Sequence, residues 1–200
     1  MSIRDKIRAA VESVRSRQAA LPAHVRRRMA PEPPPEAPQD ASYRTALAGI
    51  ADPHYILGNE YLDRQWQADR FEAHPRIVEF ERLLIRRLRK LDVPMYAHCV
   101  WRSPDEQDAA FKRGVTKARA GQSPHNWGCA VDIVHCRKHW GLTERQWRVV
   151  GHVGKELAAQ RSLHVTWGGD WKFWDPAHWE LADWQACRVW RYSELTFDIT

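Results

Sequence analysis

SPHNWGCAVDIV, residues 123–134, contains one residue that does not fit its surroundings. From Cys129 to Val134 the chain is small, apolar and β-branched, the composition of a buried strand. Asp132 is the exception. An unpaired carboxylate in such a strand costs several kcal/mol or is neutralised by a pKa shift, so a cation must sit on it. His125 lies seven residues earlier, across the loop Asn126–Gly128. Gly128 can take a backbone angle other residues avoid. That would fold His125 over the start of the strand, so that His125 and Asp132 converge on one ion.

A third ligand is found in WDPAHWEL, residues 174–181, where Pro176 breaks the chain and a strand resumes at His178. Two imidazoles and one carboxylate leave a fourth position open, the arrangement of catalytic rather than structural zinc. Zn2+ is therefore the expected cofactor, held by His125, Asp132 and His178. Asp175 stands three residues before His178 and is the candidate general base and acid. Arg102, at the end of an apolar run from Met95, is the candidate donor to a developing oxyanion. An arginine paired with Asp132 would be the simpler reading of the carboxylate alone. The joint pattern of His125, Gly128, Ala130, Asp175 and His178 favours a metal. Glu180 has two readings, as a group orienting a ligand histidine or as a strand residue on the other face.

Elsewhere the chain alternates helices and strands. PRIVEFERLLIRRLRKL places Ile77, Phe80, Leu84 and Leu88 on one helical face, with Pro75 near the first turn and a basic outer side. MYAHCVW (95–101) reads as a strand and SPDEQDAAFKRGV (103–115) as a helix with a Ser103/Glu106 capping box. Residues 143–160 read as a second boxed helix, with Thr143 and Gln146. LHVTWGG and AHWEL add two more strands. The expected fold class is α+β, a small, mostly antiparallel sheet flanked by helices.

The 200 residues are 44% hydrophobic, enough for one domain with extensions. Most of the eleven Trp lie between Trp101 and Trp190, where the aromatic core and any groove are expected. Residues 1–29 carry a basic stripe-bearing helix, with Ile3, Ile7, Ala10 and Val14 spaced 4, 3 and 4 apart. It is either an arm that docks on a partner, a membrane surface or an oligomer, or a short helix packed on its own domain or frayed. PEPPPEAP marks a linker, read as residues 30–42, and a globular domain carrying the candidate site is read as 43–200. The net charge of +6 favours polyanions but does not choose among them, and no specific nucleic-acid partner is expected. No apolar run approaches the roughly 20 residues of a membrane span. The N-terminus lacks the apolar region of a secretory signal. The four cysteines form no CxxC pair. HExxH, SxxK and GxSxG are absent, which removes three other hydrolase plans. His135, Cys136 and His139 suggest a second metal cluster, but the first two point to opposite faces of a strand.

Three segments together resemble one family. SPHNWGCAVD fits S-x-H-x-x-G-x-A-x-D, DPAHWE fits a downstream D-x-x-H, and VWRSPDEQ resembles an upstream Arg-Ser-x-x-x-Gln segment. They look like the D-Ala-D-Ala carboxypeptidase and L-alanyl-D-glutamate endopeptidase family of zinc peptidases, the M15 or VanY-like group, over residues 95–182. The resemblance implies a Hedgehog/D,D-peptidase-like fold, with metal ligands at His125, Asp132 and His178, the acid/base at Asp175 and a polarising arginine at Arg102. Ser123 and Gln107 match positions that hold substrate or support the site. Asp175, where some members have Glu, resembles the phage endolysin branch. The implied substrate is the peptidoglycan stem peptide. With no secretory signal, the expectation is a chain made in the cytoplasm that reaches the wall after phage-type release or as part of a virion. The alternative is a non-catalytic, metal-containing wall-binding or virion module.

Overall fold

The computed structural model describes residues 40–186. The expected arm 1–29, the linker up to residue 39 and Cys187 lie outside the described residues. Residues 40–42, read as the end of the linker, are instead the first turn of helix α1 (Asp40–Leu47). Two short helices follow, α2 (Pro53–Ile56) and α3 (Asn59–Gln65), then the long α4 (Pro75–Lys90). Strand β1 is Met95–Cys99, helix α5 Pro104–Lys112 and strand β2 Ala130–His135. Helix α6 (Glu144–Gln160), β3 (Val165–Trp167) and β4 (His178–Leu181) complete the order. No helix of the described residues is long and apolar enough to cross a membrane.

The sheet runs β1-β2-β4-β3, and every neighbouring pair is antiparallel, as expected of an α+β domain. The side-chain period of two divides it into a packed face and an open one. Val131 pairs with Trp179, both buried, and Phe80 of α4 packs on Trp179 with ring centroids 4.8 Å apart. On this face α4 covers β1, β2 and β4, while α6 covers β3. Ile77, Phe80, Leu84 and Leu88 are fully buried, so the stripe read from sequence is the core face of α4. Glu81 is the charged exception, and Arg70 pairs with it through two donors at 2.7 and 3.0 Å. Gly151 and Gly154 of α6 face the rings of Trp167 and Trp179, so helix and indoles approach closely.

Both capping boxes form, Ser103 with Glu106 and Thr143 with Gln146. Two strands are shorter than their apolar runs. β1 leaves the ladder after Cys99 because Trp101 N–H turns to Asp69 O and Val100 O turns to His125. β3 stops at Trp167, and Gly168–Asp170 forms a 3-10 turn. His135 bonds Ile50 O through Nε2, and its Nδ1 accepts from the N–H groups of Arg137 and Lys138. Both ring nitrogens are occupied, which removes the second cluster with Cys136 and His139.

Candidate metal centre

The open face of the sheet carries the site. Asp132 on β2 pairs directly with His178 on β4, so their side chains rise together. His125 arrives from the 3-10 turn Pro124–Trp127. Ser123 caps that turn by accepting from His125 N–H, and Gly128 ends it with φ of 62°. The left-handed angle reverses the chain into β2 and folds His125 back over Asp132, as the spacing implied.

Three atoms meet there. His178 Nδ1 lies 3.0 Å from Asp132 Oδ1, and His125 Nε2 lies 3.3 Å from each of these two atoms. Ligands held tetrahedrally at about 2.0–2.1 Å from a zinc ion are about 3.3 Å from one another, so the triangle has the size such an ion requires. The outer nitrogens of both rings are already committed. His125 Nδ1 lies 3.0 Å from Val100 O, and His178 Nε2 lies 3.1 Å from Glu180 Oε2. Protons on those outer nitrogens leave both inner lone pairs aimed at one point, with the carboxylate as third donor. The residues present fit a divalent cation. Cys99, His125 and Asp132 form a second possible ligand trio. Cys99 Sγ, however, faces His125 Nδ1 at 3.5 Å, the nitrogen already engaged by Val100 O. The His–Asp–His set is therefore the better-aimed one.

The electrostatics follow from this packing. Burial opposes charge on Asp132, but His125 and His178 outweigh it and hold the carboxyl well below the usual carboxylate range. Burial likewise opposes protonation of His125, yet Asp132 beside it raises the imidazole well above its ordinary value. His178 is also raised: its hydrogen bonds to Asp132 and Glu180 outweigh burial. Asp175 moves the other way from Asp132. Burial and then the Asp132 carboxylate push it up. Its N–H donates to Gly168 O at 3.1 Å, and its own carbonyl accepts from His178 N–H at 3.2 Å.

Arg102 borders the same site. Its Nη1 donates to Gln107 Oε1 at 3.1 Å and its Nη2 to Cys99 Sγ at 3.4 Å. Gln107 is fully buried and donates in turn to Ala118 O at 2.7 Å. Ser123 caps the His125 turn, Gln107 steadies Arg102, and both are buried, contacts that support the site. Glu180 lies two residues from His178, hence on the same strand face, and takes the orienting role. Two supports were not legible. From sequence Cys99 is one of four cysteines with no CxxC partner, and Asn126 falls on an unassigned position of the motif. Asn126 Nδ2 donates to Arg102 O at 2.9 Å, and its Oδ1 accepts from Gly121 N–H at 3.0 Å.

A family model described as D-alanyl-D-alanine carboxypeptidase matches residues 116–181, which hold His125, Asp132, Asp175 and His178. The chain is 34% identical over 100 residues to the peptidoglycan L-alanyl-D-glutamate endopeptidase CwlK of Bacillus subtilis (strain 168). That match covers 40% of this chain and 56% of CwlK, so the chain spans little more than half of this relative's length. Among solved structures it is similar to the L-Ala D-Glu endopeptidase ChiX of Serratia marcescens. Identity there is 24% and the TM-score 0.47, covering 60% of this chain and 93% of ChiX.

Proposed function

We propose that this chain, whose residues 116–181 match the D-alanyl-D-alanine carboxypeptidase family model, is an M15/VanY-like peptidase that hydrolyses an amide bond of the peptidoglycan stem peptide. We take the bond to be L-Ala–D-Glu, the one named for CwlK. The observation that carries the reading is the convergence of His125 Nε2, His178 Nδ1 and Asp132 Oδ1 within 3.3 Å of one another.

These three side chains would hold the ion, with zinc the choice that suits two nitrogens and one carboxylate oxygen. Bound there, it supplies Lewis acidity, which acidifies water and polarises a carbonyl. The chain's own residues do the rest. Asp175 takes a proton from the attacking water and returns it to the leaving amine as the C–N bond breaks. Arg102, held by Gln107 and Cys99, donates to the oxygen that gains negative charge as the carbonyl becomes tetrahedral. Glu180 and Val100 O keep the two imidazoles in the right tautomer.

Purified sacculi incubated with the zinc-loaded chain test this. Mass analysis is expected to find fragments with a newly exposed D-Glu amine, abolished by chelator and by Asp175→Asn. Sacculi left intact under all conditions would overturn the hydrolase reading in favour of a metal-containing binding module.

A further inference from the structure

The open face of the sheet continues past the metal triangle onto β1, and a separate cluster of rings stands there. β1 and β2 pair Ala97 with Ile133 and then Cys99 with Asp132, so the register slips at His98. Such a bulge sets two residues against one and re-aims a side chain. His98 is thereby exposed beside Asp132, and the Asp132 carboxylate acts on it.

Tyr96 lies on the same strand. Its hydroxyl lies 3.5 Å from His98 Nδ1 and 3.4 Å from His139 Nδ1. Tyr96 is buried, so it is a fixed post that orients both imidazoles. Each ring turns Nδ1 to the phenol, and no described residue engages either Nε2. Beside them Trp140 is 48% exposed, large for an indole of a packed domain. It meets His98 at 4.8 Å between centroids and 78° between planes, an edge-to-face contact that leaves ring area for another partner. His139 holds φ of 50°, and this turn position projects Trp140 from the end of β2.

An exposed indole flanked by two oriented imidazoles has the chemistry of a sugar seat. The C–H face of a pyranose packs on an aromatic face, while its hydroxyl and N-acetyl groups bond to ring nitrogens. The seat stands one strand and one ring beyond Asp132, a separation on the order of 10 Å. The first residue of a stem peptide is joined to an N-acetylated amino sugar, so a bond cut after that residue lies within such a distance of the sugar. We propose that Trp140, with His98 and His139, seats the amino sugar that carries the stem peptide, and that the substrate is therefore glycan-attached peptide rather than free peptide. This rests on the peptidoglycan reading above.

The test compares kcat/KM of the zinc-loaded full chain on a disaccharide-linked stem peptide and on the same peptide without sugar. A ratio of about ten is expected, the size of one aromatic contact. Trp140→Ala should bring the ratio near one, Trp140→Phe should keep part of it, and the remote exposed Trp66→Ala should leave it unchanged. Bound zinc equal to the parent shows that each variant is folded. Calorimetry with N-acetylmuramyl-L-alanine forms a second arm, in which binding is expected to weaken in Trp140→Ala only. A parent ratio of one, or a ratio that survives Trp140→Ala, overturns the proposal. If the parent cleaves neither substrate, the hydrolase reading falls, and calorimetry alone then judges the seat: equal binding by parent and Trp140→Ala overturns it.

Discussion

Asp132 is the residue on which the site turns. Half-buried in an otherwise apolar strand it would be destabilising alone, and two imidazoles offset that cost by facing it at 3.0 and 3.3 Å. What aims them is the next layer outward. Glu180 holds the outer nitrogen of His178, and Glu180→Ala is expected to weaken zinc affinity by about 10–100-fold with the fold retained. Competition against a chelator measures this; unchanged affinity would mean the ring is oriented by packing alone. In the proposed reaction Arg102 is the charge that meets the developing oxyanion. Arg102→Ala should lower kcat/KM by about 10²–10³ while bound zinc stays at the parent level. Loss of zinc alongside activity would instead make it a support of the centre. His125, Asp132, His178 and Arg102 were legible because ionisable side chains in or beside apolar strands demand partners. Asn126 and Cys99 were not legible, because each acts through contacts made only after the chain folds back on itself.

At the scale of elements, short-range rules account for most boundaries. Ser103 and Thr143 start their helices with the boxes their sequences spell, and Pro75 opens α4 where its missing N–H costs nothing. Helices α1 to α3, of four to eight residues, escape such reading. They are too short to show two turns of apolar period, and α1 is anchored from outside by the Tyr43 hydroxyl donating to Glu156 on α6 at 2.8 Å. The 3-10 turn before β2 depends on Gly128. A Cβ there would stand 2.0 Å from Glu72 O, at a φ that L side chains rarely adopt. Gly128→Ala should therefore cost about 2 kcal/mol or more and lower the melting temperature by roughly 5 °C or more. Thermal unfolding checks this, and an unchanged midpoint would show that the turn before β2 can shift without loss.

For the whole molecule, the triangle links stability to pH and to metal. In the metal-free chain His125 and His178 titrate above their ordinary value, so their contribution is complete below about pH 6.5 and is lost as pH rises through the raised values. Asp132 titrates below its ordinary value, so its contribution is present above about pH 3.9 and is lost as pH falls through the depressed value. Metal-free protein should thus melt highest between these limits. Added zinc, which displaces protons from the same nitrogens, should raise the melting temperature more at pH 8 than at pH 5.5. A chelated chain whose midpoint stays flat from pH 6 to pH 9 would contradict this. The sequence by itself determined the α+β class, the two boxed helices, the strands around the site and the residues that could share an ion, because capping, period and the cost of a buried carboxylate act over a few neighbours. Tertiary structure alone decided that three donor atoms, from a turn and two strands up to 53 residues apart, close to 3.3 Å. It also decided that Cys99, Gln107 and Asn126 brace Arg102, and that a bulge turns His98 towards Trp140. Each of these depends on strand register and chain reversal, which are set by the whole core and not by any single stretch of it.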